Sequence, residues 1–160
     1  MKLTTTYKFN AQPEELWPLL FNSKMDEKHP CFFLCGLPKP VECRLADGEG
    51  GVGKTRECVS DKGVIIQRIV AWQPNHLLEF HLQETNLYFG PCVNNIKERF
   101  ELKKINSTQT VITRKTEFHV TSFIKLFISI PIAVGLKSIH HYVFRNWKRI
   151  AKERNAELKF

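Results

Sequence analysis

The chain has 160 residues and a formal net charge of +8; 42% of its residues are hydrophobic and 25% are charged. These values are typical of one globular domain and argue against intrinsic disorder. The longest apolar run, residues 123–136, is interrupted by Lys125 and Pro131. It is shorter than the roughly 20 residues that a membrane span requires, so we expect a buried helix there.

The N-terminal segment is predicted to be a strand followed by short helices. Residues 2–10 are rich in Thr, Tyr and Phe, which favours a strand. Pro13 then falls at a helix start, with Glu14 and Glu15 in the first turn, where the helix dipole favours acidic groups. Residues 25–40 contain several prolines and a glycine and are predicted to be irregular or weakly helical.

The middle of the chain is predicted to be an antiparallel meander. Short β-type segments alternate with turn-forming residues, which is the pattern of successive hairpins. The predicted strands cover residues 41–45, 52–60, 64–72, 76–84, 95–104 and 110–120.

A long amphipathic helix is predicted to end the chain. Apolar residues recur there at intervals of three and four: Leu136, Ile139, Val143, Trp147 and Ile150. The helix is expected to begin between Pro131 and Gly135, or to have a kinked earlier turn. A curved antiparallel sheet needs cover on one face, and a helix of about 20 residues spans roughly 30 Å. We therefore expect this helix to lie across the sheet and to leave an interior cavity.

Four short motifs follow one another along the chain: residues 13–17 (PEELW), 51–56 (GVGKTR), 69–80 (with AWQP and LLEF) and 99–102 (RFEL). Their order and spacing resemble those of the START, pollen-allergen and polyketide-cyclase-like proteins of the SRPBCC superfamily. This resemblance covers nearly the whole chain. It implies an α+β helix-grip fold for residues 1–160, with two short helices after strand 1 and a curved antiparallel sheet of about seven strands around the C-terminal helix. It also implies a hydrophobic-ligand pocket between sheet and helix, without implying one chemistry.

Glu98 and Arg114 are the most informative polar candidates. Side chains alternate along a strand, so Glu98 shares a face with Ile96 and Phe100, and Arg114 shares one with Ile112 and Phe118. If both faces point inward, the two charges must pair or contact a polar ligand group, because an isolated buried charge is costly. The alternative is that this face is solvated or that the register separates them.

Ligand binding is the leading functional hypothesis, with a small hydrophobic or amphipathic ligand as the partner and no cofactor. The alternative is a polyketide cyclase or dehydrase-like enzyme, in which Glu98 or His140 is the base and Arg114 stabilises an enolate. Aromatic residues are expected to line the pocket beside the two charged residues. The predicted ligand-binding residues are Phe32, Trp72, Phe80, Glu98, Phe100, Arg114, Phe118 and Trp147.

A third hypothesis concerns the basic C-terminal segment. Residues 137–160 contain seven Lys or Arg and two Glu, which gives +5 of the total +8. Such a segment is commonly the solvated face of a helix, and the alternative is peripheral contact with an anionic membrane or an acidic protein. No nucleic-acid-binding motif accompanies the charge, so a nucleic-acid partner is not expected.

Two other patterns are not expected to form sites. Residues 48–55 match the phosphate-binding pattern GxxxxGK[ST], but no helical period follows, so a hairpin is predicted instead of a nucleotide site. His29, Cys31 and Cys35 lack a second ligand pair, so no metal site is predicted. The five cysteines include no CxxC pair, and the N-terminus has no apolar signal segment. Reduced thiols and a cytoplasmic location are therefore expected.

Overall fold

A curved antiparallel sheet packs against a long C-terminal helix. The computed structural model describes residues 1–28, 30, 33, 36–88, 90, 93–120 and 125–157. Within these residues eight strands form one sheet. The strands are β1 (Lys2–Phe9), β2 (Ser23–Lys24), β3 (Pro40–Leu45), β4 (Thr55–Ser60), β5 (Gly63–Gln73), β6 (Leu77–Thr85), β7 (Val93–Asn106) and β8 (Gln109–Val120). The helices are α1 (Pro13–Leu16), a 3₁₀ helix (Trp17–Leu20) and α2 (Lys125–Glu157).

The sheet brings the first strand beside the last. The strand order is β1-β8-β7-β6-β5-β4-β3-β2, and every neighbouring pair is antiparallel. Strand β1 pairs with β8 along its whole length, from Lys2 opposite Glu117 to Phe9 opposite Thr110. The N-terminal ammonium also donates a hydrogen bond to the Phe118 carbonyl at 2.6 Å. The predicted meander is confirmed, and β1 is the edge strand of the sheet beside β8.

The short helices after β1 begin where the sequence places them. Pro13 occupies the first helical position, and the Gln12 N–H donates to the Glu15 carboxylate at 2.6 Å. This contact satisfies one of the free amide groups at the helix start. The chain then tightens into the 3₁₀ helix, whose buried Leu19 and Leu20 turn toward the core.

The core lies between the inner face of the sheet and α2. Its largest fully buried side chains include Phe9, Phe80, Phe100, Phe118 and Phe144. On α2, Phe144 contacts Phe9 with ring centroids 5.9 Å apart and Trp147 with centroids 5.5 Å apart. Gly135 lets α2 approach Leu37, since a Cβ there would lie 2.8 Å from a Leu37 methyl group.

Three differences from the sequence-based prediction exceed a shift of one or two residues. The sheet has eight strands because Ser23–Lys24 forms a two-residue edge strand against β3. Strand β4 begins at Thr55 and not at residue 52, because a turn precedes it in which the Lys54 N–H bonds to Gly51. Helix α2 begins before Pro131, not after it. Pro131 lies exposed inside this helix, in its second turn, where it removes one backbone hydrogen bond.

The prediction of reduced thiols is wrong for two of the cysteines. Cys43 on β3 and Cys58 on β4 are directly opposite each other in the register and form a disulfide, with Cα atoms 4.1 Å apart. Directly opposed residues on antiparallel strands bring their Cβ atoms close together, so one register places both sulfurs within bonding distance. The cysteine pattern therefore no longer supports the expected cytoplasmic location, which stays a prediction.

Candidate ligand cavity and its buried charged cluster

A cavity of about 110 Å³ lies between the sheet and α2. Apolar side chains from both layers form most of its wall, among them Ile65, Ile96, Phe100, Ile139 and Val143. One part of the wall is strongly polar. It consists of four side chains from the inner face of the sheet: Arg56, Gln67, Glu98 and Arg114.

Glu98 is the centre of this polar group. One carboxylate oxygen, Oε1, accepts a hydrogen bond from Arg114 Nη2, and the other, Oε2, lies 3.3 Å from Arg56 Nη2. Gln67 also approaches Oε2, with its amide nitrogen 3.4 Å away. All four residues are buried. A single carboxylate is therefore shared by two buried guanidinium groups.

The strand register explains why these residues meet. Glu98 on β7 lies opposite Thr116 on β8 and Phe80 on β6, and Arg114 lies opposite Phe100, one inward position further along. Opposed residues on neighbouring strands present their side chains on the same face of a sheet. Both Glu98 and Arg114 therefore point inward and pair with each other, which is one of the alternatives that the sequence left open.

Arg56 is held by several partners and is fixed in place. Its Nε and Nη2 donate to the Gln67 side-chain oxygen at 3.1 and 2.5 Å, and its Nη1 donates to the Leu20 carbonyl at 2.5 Å. Its guanidinium also lies over the Phe80 ring. Burial lowers the pKa of Arg56 to about 10, against the opposing effect of Glu98, so the group remains charged near neutral pH.

Arg114 is less completely satisfied than Arg56. Among the described residues, its hydrogen bond to Glu98 uses only Nη2, and its buried Nε has no partner. The indole N–H of Trp147, another wall residue, is likewise buried and without a partner among them. Buried donors in folded proteins are nearly always hydrogen-bonded, so these two are unusual. The cavity wall thus carries unused donor capacity.

A hydrogen-bonded chain connects the cluster to α2. Thr116 Oγ1 lies 2.9 Å from His140 Nε2 and 3.4 Å from Glu98 Oε1. The other ring nitrogen of His140, Nδ1, lies 2.9 Å from Thr5 Oγ1. Both nitrogens of this fully buried imidazole are thus engaged by threonine hydroxyls.

The protonation states follow from burial and from the neighbouring charges. Burial alone would raise the pKa of Glu98, but Arg114 and Arg56 outweigh it and lower that pKa to about 2. Burial, assisted by the positive charge of Arg114, lowers the pKa of His140 to about 2. At neutral pH Glu98 is therefore ionised and His140 is neutral. The buried cluster of Arg56, Glu98 and Arg114 has a net charge of +1.

Solved structures share this arrangement of sheet and helix. A START superfamily protein from Mycobacterium smegmatis superposes with a TM-score of 0.67 at 11% identity, over 95% of this chain and 97% of that one. The protein XoxI from Bacillus cereus gives 0.66 at 16% identity, over 96% and 97%. The chain has the START-like helix-grip fold. No protein-family model and no curated protein matches the sequence.

An enzyme with a bound aromatic ligand pair also shares the START-like fold. Norcoclaurine synthase from Thalictrum flavum, solved in complex with dopamine and hydroxybenzaldehyde, gives a TM-score of 0.61 at 14% identity, over 96% of this chain and 87% of that one. Identities this low establish a common fold, and the ligand of this chain has to be inferred from its own residues.

In this START-like fold, some of the predicted site residues line the cavity and others lie elsewhere. Glu98, Phe100, Arg114 and Trp147 line the cavity. Phe80 packs beneath Arg56, and Phe118 belongs to a second apolar cluster with Val93, Ile96 and Val120. Trp72 packs against Trp17 and Phe21, with ring centroids 5.1 and 4.9 Å away. His140 lies behind Thr116, and Phe32 lies outside the described residues.

Arg56 and Gln67 are the main cavity residues that the sequence analysis missed. They lie directly opposite each other on β4 and β5, at inward positions of the sheet. A signal was present, because Arg56 ends the GVGKTR segment that supported the family resemblance. Its burial follows only from the register, which places it opposite the buried Gln67 of β5.

The other sequence patterns do not form ligand sites in the described chain. Residues 48–55 form a turn leading into β4, and Lys54 Nζ lies 3.6 Å from Asp47 and 3.7 Å from Glu49, a negative environment unsuited to a phosphate. Within the described ranges, no set of three His, Cys, Asp or Glu side chains converges as metal ligands would. His29, Cys31 and Cys35 lie outside those ranges. None of the described helices combines the length and hydrophobicity needed to cross a membrane.

Proposed function

We propose that this protein binds a small hydrophobic or amphipathic ligand in the cavity between the sheet and α2. The observation that carries the proposal is the cavity itself, which is mostly apolar and has one charged cluster at its wall. Ligand sites commonly combine these features, because apolar surface supplies affinity and a few polar groups fix orientation.

The volume indicates the size of the ligand. An engineered apolar cavity of roughly 150 Å³ admits benzene. The cavity of about 110 Å³ is smaller than that, so it sets an upper size of one small aromatic ring or a short aliphatic chain. Norcoclaurine synthase, which has a similar fold, binds dopamine and hydroxybenzaldehyde, which supports an aromatic ligand.

The protonation states favour binding over proton-transfer catalysis. The lowered pKa values of Glu98 and His140 make both groups weak bases at neutral pH. A general base is most effective when its pKa lies near the working pH. The cyclase or dehydrase-like alternative, with Glu98 or His140 as base and Arg114 stabilising an enolate, stays an untested prediction and ranks second.

The basic face of α2 is the remaining alternative. Arg145, Lys148 and Arg149 are exposed, but Arg149 is paired with Glu153 at 2.9 Å and Lys148 lies over the Tyr7 ring. Contact with an anionic membrane stays a prediction, for which salt-sensitive binding to anionic vesicles is the test.

Calorimetric titration with phenol, together with native mass spectrometry of the purified protein, tests the proposal. We expect a co-purified small molecule or saturable binding of phenol at one site. Val143→Phe fills the cavity from α2 and is expected to abolish binding. Val134→Phe is the matched control, because Val134 is an exposed valine on the same helix and its replacement leaves the cavity intact. Absence of any ligand in both measurements on the wild type would contradict the proposal.

A further inference from the structure

We infer that the ligand is a hydrophobic monoanion, such as a small aromatic or aliphatic carboxylate, whose acidic group is bound at Arg114. This inference rests on the proposed function and specifies the chemical class of its ligand. It depends on three features of the cavity wall: its net charge, its unused donors and the difference between its two arginines.

The net charge is the first feature. Two guanidinium groups share one carboxylate in the buried cluster, and the neighbouring imidazole is neutral, which leaves one positive charge without a counter-ion in the part of the chain that the structure describes. An uncompensated buried charge is costly. The other acidic residue of the cavity wall, Glu42, is partly exposed to solvent and has its own cationic neighbour, Arg44, at 4.0 Å. A ligand with one negative charge would neutralise the cluster.

The unused donors are the second feature. Arg114 Nε and Trp147 Nε1 are buried without a partner among the described residues, and both side chains belong to the cavity wall. Neither group can accept a hydrogen bond, so the complementary ligand atom must be an acceptor. A carboxylate supplies two acceptor oxygens and matches the planar donor arrangement of a guanidinium.

The difference between the arginines is the third feature, and it assigns the role to Arg114. Arg56 donates through all three of its nitrogens to Gln67, Leu20 and Glu98, and it is stacked on Phe80. Arg114 donates to Glu98 through Nη2, and the described residues leave its Nε free. Arg56 and Glu98 thus hold the cluster together, whereas Arg114 has capacity for an additional acceptor.

Titration with three probes of similar shape tests the inference on the wild-type protein. The probes are phenylacetate, the neutral phenylacetamide and the cationic 2-phenylethylamine, measured by calorimetry at one ionic strength. We expect phenylacetate to bind about tenfold more tightly than phenylacetamide, a factor equivalent to ~1.4 kcal/mol, and the amine to bind least. The preference for phenylacetate should disappear at a pH low enough to protonate its carboxylate.

Arginine variants locate the effect. Arg114→Gln should reduce the acid-over-amide preference to within about twofold while phenylacetamide still binds. Arg99→Gln is the matched control, since Arg99 is an exposed arginine on β7 and its removal should leave the tenfold preference unchanged. Arg114→Lys keeps the charge and should retain part of the preference. If Arg114→Gln does not fold, the wild-type probe series and Arg114→Lys still decide the question.

The outcomes separate this inference from the proposed function. Equal binding of the acid and the amide by the wild type would overturn the inference and leave the proposed function intact. If neither phenol nor any of the three probes binds, both the inference and the proposed function are overturned. An acid preference that is the same in Arg114→Gln and Arg99→Gln would also overturn the inference, because the preference would then come from the general positive charge of the protein.

Discussion

The guanidinium carbon of Arg56 lies 3.7 Å from the centre of the Phe80 ring. Both side chains are buried, so the cation–π contact is shielded from water. Such a desolvated contact contributes about 2 kcal/mol or more. The ring of Phe80 therefore stabilises the charged form of Arg56, one of the two arginines that contact Glu98.

We predict that Phe80→Leu destabilises the protein more than the same change at a buried phenylalanine without a cation. Phe9 is the matched position, because it is equally buried and packs against Phe144. The free energy of unfolding, measured by urea denaturation, should fall by about 1–2 kcal/mol more in Phe80→Leu than in Phe9→Leu. Equal losses would show that the cation–π contact contributes nothing.

Glu98 is predicted to make stability fall at acid pH. Its folded-state pKa of about 2 lies below the ordinary value of 4.5, so its contribution is complete above pH 4.5 and is lost as pH falls toward 2. The linkage relation gives a loss of about 3 kcal/mol over this window. In Glu98→Gln this part of the pH dependence should be missing, from a starting stability lower by about 3–5 kcal/mol. Urea denaturation at a series of pH values measures both effects.

The control for this prediction is Glu117→Gln. Glu117 is partly exposed on β8 and pairs with Lys2 at 2.8 Å. The Glu117→Gln variant should still lose stability steeply between pH 4.5 and 2, as the wild type does. If Glu98→Gln shows the same acid limb as the wild type, the buried carboxylate is not the group that titrates.

His140 is predicted to lower the stability of the fold at a higher pH than Glu98 does. Its folded-state pKa of about 2 lies below the ordinary 6.5, so the unfolded chain takes up a proton below pH 6.5 that the folded chain refuses. The stability is therefore complete above pH 6.5, and below it this residue should lower the free energy of unfolding by about 1.4 kcal/mol per pH unit. NMR of the His140 ring nitrogens should show a neutral imidazole down to about pH 4.

A pair of histidine variants isolates this contribution. His140→Gln removes the titrating group and should reduce the pH dependence of stability between 6.5 and 4.5, leaving the contribution of His141, whose pKa is also lowered by partial burial and by Lys137. His76→Gln alters an exposed histidine in the turn before β6 and should leave that dependence unchanged. A ring that gains its proton near pH 6 in the folded protein would contradict the prediction.

The Cys43–Cys58 disulfide is predicted to stabilise the fold. It spans 15 residues, and closing a loop of that length contributes about 3 kcal/mol in the chain-entropy account. A reductant should therefore lower the unfolding free energy of the wild type by about that amount. It should have no effect on a Cys43→Ser/Cys58→Ser variant. Thiol titration of the denatured protein should show two additional reactive groups on reduction that belong to Cys43 and Cys58 and are missing from the double variant.

The order of the elements was predictable from the sequence, because it depends on local signals. Pro13 with its acidic neighbours marks the first helix, turn residues separate the central strands, and the spacing from Leu136 to Ile150 marks the last helix. The two-residue strand β2 has no such signal. It exists because Ser23 and Lys24 lie beside Cys43 and Glu42 on β3.

The cavity was only partly predictable, because it depends on register and not on composition. The alternation along β7 and β8 showed which neighbours share a face with Glu98 and which share one with Arg114. Whether those two faces point into the core depends on how the strands pair. An aromatic side chain is expected to be buried, but the sequence does not show which residues it packs against. Phe100 and Trp147 therefore line the cavity, whereas Phe80 and Phe118 pack elsewhere.

The pairing of β1 with β8 has a consequence for biosynthesis. Thr5 has no strand partner until Arg114 has been translated, so the N-terminal strand stays unpaired while most of the polypeptide emerges from the ribosome. Contacts between such distant parts of a chain make folding slow. A nascent or truncated chain ending before Gln109 would present an open strand edge to its surroundings, which makes premature termination an aggregation hazard and not merely a loss of function.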